Sequence, residues 1–210
     1  MLPTIFGSCQ SSVERAVKDT KYSAYEFFGI EKRDLFKKEV KSVKNDQESA
    51  GESFKSALDK LKAIYAFDGG NIEKQYRSLA SSYELAESRV NEVHKSVKQV
   101  ETVSGDLFTE WRSEIAQIKS ADLRSKSSIN LSETQRKYSE FHFVLKKSEA
   151  KMNPVLAKLK DQVLFLKHNL NAQAITGLKK ESGKIQNDIE DLMKEMNSSI
   201  TQAEAFIKSM

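Results

Sequence analysis

From Phe36 to Ile64 an apolar or small residue recurs alternately every four and three positions: Phe36, Val40, Val43, Gln47, Ala50, Phe54, Ala57, Leu61 and Ile64, with Gln47 the one polar member. That spacing places all nine on a single stripe of a long α-helix. A second stripe begins at Ile72 and runs through Tyr76, Leu79, Tyr83, Ala86, Val90, Val93, Val97, Val100, Ser104 and Leu107 to Trp111, with Ile115 and Ile118 beyond. At about 1.5 Å per residue the second helix is roughly 70 Å long, too long for one globular core to surround. The chain is therefore expected to form a rod. Eight glycines and two prolines in 210 residues are too few for the many turns of a sandwich or barrel.

The interruptions divide the rod into helices. Phe67-Asp68-Gly69-Gly70-Asn71 ends the first stripe, with glycine suited to a helix-ending backbone and Asn71 to capping the next helix. The polar run Lys119 to Ser128 is expected to be a turn or frayed connection. A further stripe passes Leu131, Thr134, Tyr138, Phe141, Leu145, Ser148, Met152 and Val155, and then continues better as Leu156, Leu159, Val163, Leu166 and Leu170. This phase change at Pro154 predicts a kink or short break with Asn153 as cap. A turn at His168 to Asn171, with Thr176-Gly177 as the alternative site, precedes a last stripe from Ile175 to Phe206, and Ser11 to Phe28 is expected to form a shorter helix ended by Gly29. The expected fold is all-α: an elongated antiparallel bundle or coiled coil of four long helices plus a shorter N-terminal helix. The helices fall at about 11–28, 31–66, 72–118, 129–167 (kinked at Pro154) and 172–208, within one domain over 10–210. Small and polar stripe residues (Ala50, Ala86, Ser104, Ser148, Ser182, Ser199) narrow the bundle locally or mark contact points for a partner's helix.

The net charge of +4 is spread along the chain rather than concentrated as in a nucleic-acid binder. Its sign alternates from segment to segment, and residues 121–175 are the most basic, with ten basic against five acidic side chains. No apolar run approaches the roughly 18 residues of a membrane-spanning helix.

Signatures of chemistry are missing from the stripes. Gly177 to Ile185 has five residues between its glycines and Ile185 where a phosphate loop needs Ser or Thr. The inward Glu-x-x-His pairs of di-iron bundles are not found: Asn91, Ser139 and Phe165 precede His94, His142 and His168 by three. No zinc spacing, nucleophile elbow or Cys-His pair stands out. The chain is read as a non-enzyme without cofactor or metal. The turn Lys167-His168-Asn169-Asn171 is the best candidate interaction surface, with helix capping by its asparagines as the competing reading.

Cys9 is the one residue with an expected covalent role. It follows Met1-Leu2-Pro3-Thr4-Ile5-Phe6-Gly7-Ser8, a short apolar stretch ending in two small residues, and precedes polar Gln10-Ser11-Ser12. This resembles the end of a bacterial lipoprotein signal, in which cleavage exposes the cysteine for acylation. It has no basic residue and a short apolar stretch, so residues 1–9 are expected to be the remnant of a longer signal, with Cys9 as a coincidental free thiol the competing reading.

Phe67-Asp68-Gly69-Gly70, Leu107-Phe108-Thr109-Glu110-Trp111, Met152-Asn153-Pro154-Val155-Leu156 and above all Asp161-Gln162-Val163-Leu164-Phe165-Leu166-Lys167-His168-Asn169-Leu170-Asn171-Ala172 resemble a bacterial family, the domain of unknown function numbered twenty-nine fifty-nine. The resemblance spans about residues 9 to 208. It implies envelope lipoproteins with a small residue before the cysteine, as in Ser8-Cys9, and implies no activity. The function expected is a non-enzymatic envelope coiled-coil protein, a spacer or helix-docking scaffold held by a lipid on Cys9 at the periplasmic side of the outer membrane. A helical partner or homo-oligomer fits this reading, and no small-molecule substrate is evident. If Met1 is the true start without a signal, the protein is cytoplasmic. Two alternatives are a cytosolic coiled-coil partner of a nucleic-acid machine, using Arg124, Lys126, Arg136, Lys137, Lys146, Lys147 and Lys151, and a bundle enzyme with an unrecognised site.

Overall fold

Each long stripe becomes the buried face of a helix. The computed structural model describes residues 32–67 and 69–210, which form α1 (Lys32–Tyr65), α2 (Ile72–Gln117), α3 (Ala121–His168) and α4 (Ala172–Ser209). The expected helix at about 11–28, and Cys9, lie outside the described residues. All nine stripe residues of α1 are buried, as are Leu79 through Leu107 of the second stripe, while Ile72, Tyr76 and Trp111 pack partly against the core.

The chain runs up, down, up, down. Lys32 pairs with Glu110 and Ser56 meets Ser82, which makes α1 and α2 antiparallel. Pairs Glu101–His142 and His94–Glu149 do the same for α2 and α3, and Lys151–Glu195 and Lys158–Asp188 for α3 and α4. Lys44–Glu204 and Lys62–Glu190 close the ring between α1 and α4. Sequential neighbours therefore touch, and α1 and α3 face each other across the axis. Ala50, Ala57 and Ala86 are fully buried in α1 and α2, and side chains this small let helix axes approach.

The turns follow from local chemistry. Gly69 and Gly70 have φ of 151° and 111°, where a side chain would be strained. Asn71 then accepts the Lys74 N–H through Oδ1 at 2.9 Å, capping α2. The next turn is shorter than expected. Of Lys119 to Ser128 only Lys119 and Ser120 lie outside a helix: Ser120 caps α3 by accepting from Leu123 N, and the helix starts at Ala121 rather than near 129. Exposed helix needs no apolar stripe, and here Lys126–Asp122 pairing and the Trp111 indole N–H donating to Ser127 Oγ support it.

Pro154 does not break the helix either, and Asn153 lies inside α3 rather than capping it. One core row continues through it at every seventh residue: Leu131, Tyr138, Leu145, Met152, Leu159 and Leu166. Only the neighbouring row shifts, from Phe141, Ser148 and Val155 to Leu156 and Val163. Pro154 and Ala150 are both exposed, so the carbonyl released four residues before the proline is on the watered side of the helix.

Two features mark the length of the rod. Near the start of α1, Phe36, Phe108, Tyr138, Phe141 and Phe206, drawn from all four helices, pack with ring centroids 5.5 to 6.4 Å apart. Beyond this aromatic plug, among the described residues, α2 and α3 alone continue, and Ile115 and Leu131 are buried there. Midway along the bundle the core turns polar, with Gln47, Ser96, Ser148 and Ser199 all buried.

Candidate functional site

The turn at 167–171 is built by its asparagines. Asn169 ends α3: its N–H donates to Leu166 O and its side-chain amide to Phe165 O at 2.9 Å. Asn171 N then donates to Asn169 O at 2.9 Å, which turns the chain into α4. Lys167 and His168 are exposed and make no hydrogen bond or ion pair among the described residues. The four residues share one turn, with the Asn169 amide engaged in closing it. The Lys167 and His168 side chains remain exposed at this corner.

A larger polar assembly spans the α2–α3 edge, joining residues far apart in sequence. The His142 imidazole donates from Nε2 to Glu101 at 2.8 Å, and His94 donates from Nδ1 to Glu149 at 2.8 Å. Between them Lys146 reaches Glu149 at 2.6 Å and Glu101 at 3.5 Å. Tyr138 stacks on the His142 ring at 5.4 Å. Partial burial alone would raise the Glu101 pKa, but the hydrogen bond from His142 and the charge of Lys146 outweigh it and hold the carboxyl below its ordinary value.

Two histidines and two glutamates between facing helices have the composition of a bundle metal centre. Their geometry differs from one. They sit at the helix edge rather than on the axis, and the Lys146 ammonium supplies the positive charge that both carboxylates need. Among the described residues no group of three or more His, Cys, Asp or Glu is placed to hold a metal ion. The partners of these histidines stand 41 and 55 positions away in sequence, so only the helix register brings them together.

Open grooves flank α4. One, of about 370 Å³ against α1, is lined by Gln47, Gly51, Lys55, Met196 and Asn197 among others. Another, of about 390 Å³ against α3, passes Lys151, Pro154 and Asp188. In the second, Lys147 and Lys151 both bind Glu195, and their hydrogen bonds hold its carboxyl below the usual range. The basic residues of α3 are in this way largely engaged by carboxylates of their own chain.

The fold and this surface define a class: a long antiparallel four-helix rod whose ionisable groups tie helices together along their edges. The chain belongs to the family of proteins of unknown function DUF2959, whose model matches residues 21–210. A search of curated proteins finds no match. Among the described residues no helix is long and apolar enough to cross a membrane.

Proposed function

We propose that the protein is a non-enzymatic scaffold of the bacterial envelope, a helical spacer that presents faces for other helices and is held to a membrane through acyl chains on Cys9. The observation that carries the non-catalytic part is the use of the titratable groups. Glu101, Glu149, His94, His142, Lys146 and Glu195 each bond to a neighbouring helix, which serves registration of the rod rather than reaction with a substrate. The small-small-cysteine sequence Gly7-Ser8-Cys9 supports the anchor. Acyl chains supply membrane affinity through apolar burial, so the modest net charge of +4 suffices.

The test is metabolic labelling with a clickable fatty acid of the protein made from its chromosomal locus, beside Cys9→Ser. Label and detergent-dependent fractionation in the wild type, both lost in the serine variant, are the expected result. An unlabelled wild-type protein in the cytoplasmic fraction overturns the reading.

A further inference from the structure

The outer row of each helix, the heptad position facing directly away from the core, separates α3 from the rest. In α1 this row is Lys38, Asn45, Glu52 and Asp59; in α2 it is Lys74, Ser81, Ser88, Lys95, Thr102, Thr109 and Ala116; in α4 it includes Asn187, Lys194, Thr201 and Lys208. All of these are exposed, and all but Ala116 are polar. In α3 the row five residues on from Leu131, Tyr138, Leu145, Met152 and Leu159 points directly away from the core before Pro154 and lies to one side of the outer face after it; with Ile129 it reads Ile129, Arg136, Phe143, Ala150, Ala157 and Leu164, five apolar residues of six, all exposed. Phe143 is 70% exposed, Ile129 56% and Leu164 44%. A spacing of seven over 35 positions, roughly 52 Å of helix, is the pattern of a seam that another helix covers.

We infer that the outer face of α3 is a docking site for an acidic amphipathic helix of a second protein. The inference rests on the scaffold reading above and names the face and the chemistry of its occupant. Ala150 and Ala157 bring small side chains to the middle of the row, which lets a helix backbone approach closely, and Phe143 and Leu164 stand as anchors on either side. One turn away along the row from Phe143 to Leu164 lie Lys146 and Lys147, engaged by Glu101, Glu149 and Glu195, and Lys160 and Lys167, against Glu140 and Asp161. Glu140 is already bound to Arg136 at 2.6 Å. Over its whole length α3 carries ten basic and five acidic side chains, so a second copy laid on it in either direction opposes basic with basic. The polar outer rows of α1, α2 and α4 offer no matching apolar seam. A lipid surface is a poorer fit, because two alanines at the centre of a one-residue-wide row add little apolar area, whereas between helices they improve contact.

The experiment places a photo-crosslinking amino acid in the full chain, in cells, at Phe143, Ala157 or Leu164, with Asn45, Ser88 and Thr201 as outer-row controls, and maps each adduct by mass spectrometry. The expected result is adducts at the α3 positions at least about tenfold above the controls, within a segment of another protein that has a heptad apolar pattern and net negative charge. Ala150→Glu, at an exposed position, should suppress the Phe143 and Leu164 adducts with an unchanged circular dichroism spectrum. Adducts no stronger than the controls, adducts only to a second copy or to residues 1–31 of the same chain, or adducts only to lipid each overturn the inference. Cys9→Ser run in parallel separates the two readings. Wild-type protein that carries no acyl label yet keeps its α3 adducts retires the anchor alone, and labelled wild-type protein without them retires the docking face alone.

Discussion

The Gln47 side chain donates from Nε2 to Ser148 Oγ over 2.7 Å, joining α1 to α3 across the bundle axis with both residues buried. Ser148 Oγ in turn donates to Leu145 O at 3.0 Å. Ser148→Ala leaves the amide without its acceptor and should cost about 1–3 kcal/mol. Gln47→Leu with Ser148→Ala removes donor and acceptor together and should cost less than the sum of the two single changes. Urea unfolding of the four proteins measures the coupling, and additive changes would show that the bond does not act as a pair.

Ser199 lies in the same polar level, fully buried, and its Oγ has no hydrogen-bond partner among the described residues. Ser199→Ala removes a desolvated hydroxyl at almost constant volume. The urea midpoint should rise, with a gain of up to about 1 kcal/mol, opposite in sign to Ser148→Ala.

Phe141 and Phe143 make an internal control two residues apart. Phe141 is 1% exposed within the aromatic plug and Phe143 is 70% exposed. Phe141→Ala should destabilise by about 3–5 kcal/mol through a cavity that four helices cannot close. Phe143→Ala should stay within about 0.5 kcal/mol of the wild type. Thermal melts by circular dichroism compare them directly.

The bundle should lose stability in acid partly through Glu101 and Glu195, both held below the ordinary carboxylate value in the folded state. A carboxyl with a lowered folded-state pKa contributes stability that is complete above its unfolded value. That contribution disappears as pH falls through the folded one. The melting temperature should therefore fall more steeply below about pH 4.5 for the wild type than for Glu101→Gln with Glu195→Gln. At neutral pH each glutamine change should cost no more than about 1 kcal/mol, since water reaches both pairs. Parallel acid profiles would remove these carboxylates from the account.

The helices that were legible in sequence are those surrounded on their inner side along most of their length. Phe36 to Ile64 and Ile175 to Phe206 could be read because three neighbours demand an apolar row. Residues 121 to 130 read as a loop because, among the described residues, only α2 lies beside them, so a helix there can be almost wholly polar. At Pro154 the apparent phase slip mixed two rows, one of which continues unchanged while its neighbour moves by one residue. The cluster of Glu101, His142, Lys146, Glu149 and His94 was illegible because its members belong to different helices. The turn at 168–171 was placed from the pattern reset, and the capping chemistry of Asn169 explains why the chain reverses there.

Lys32 and Met210 both lie at the aromatic end of the rod, a direct result of having an even number of antiparallel helices. The described chain can therefore be loaded in two mechanically different ways. A pull between its two ends peels α1 from α4 beginning at Phe36 and Phe206, opening contacts one after another. A pull between the Lys32 end and the distant 168–171 turn loads the helix seams lengthwise, so that many ion pairs and core rows must yield together. The same molecule should be soft as a zipper and stiff as a strut.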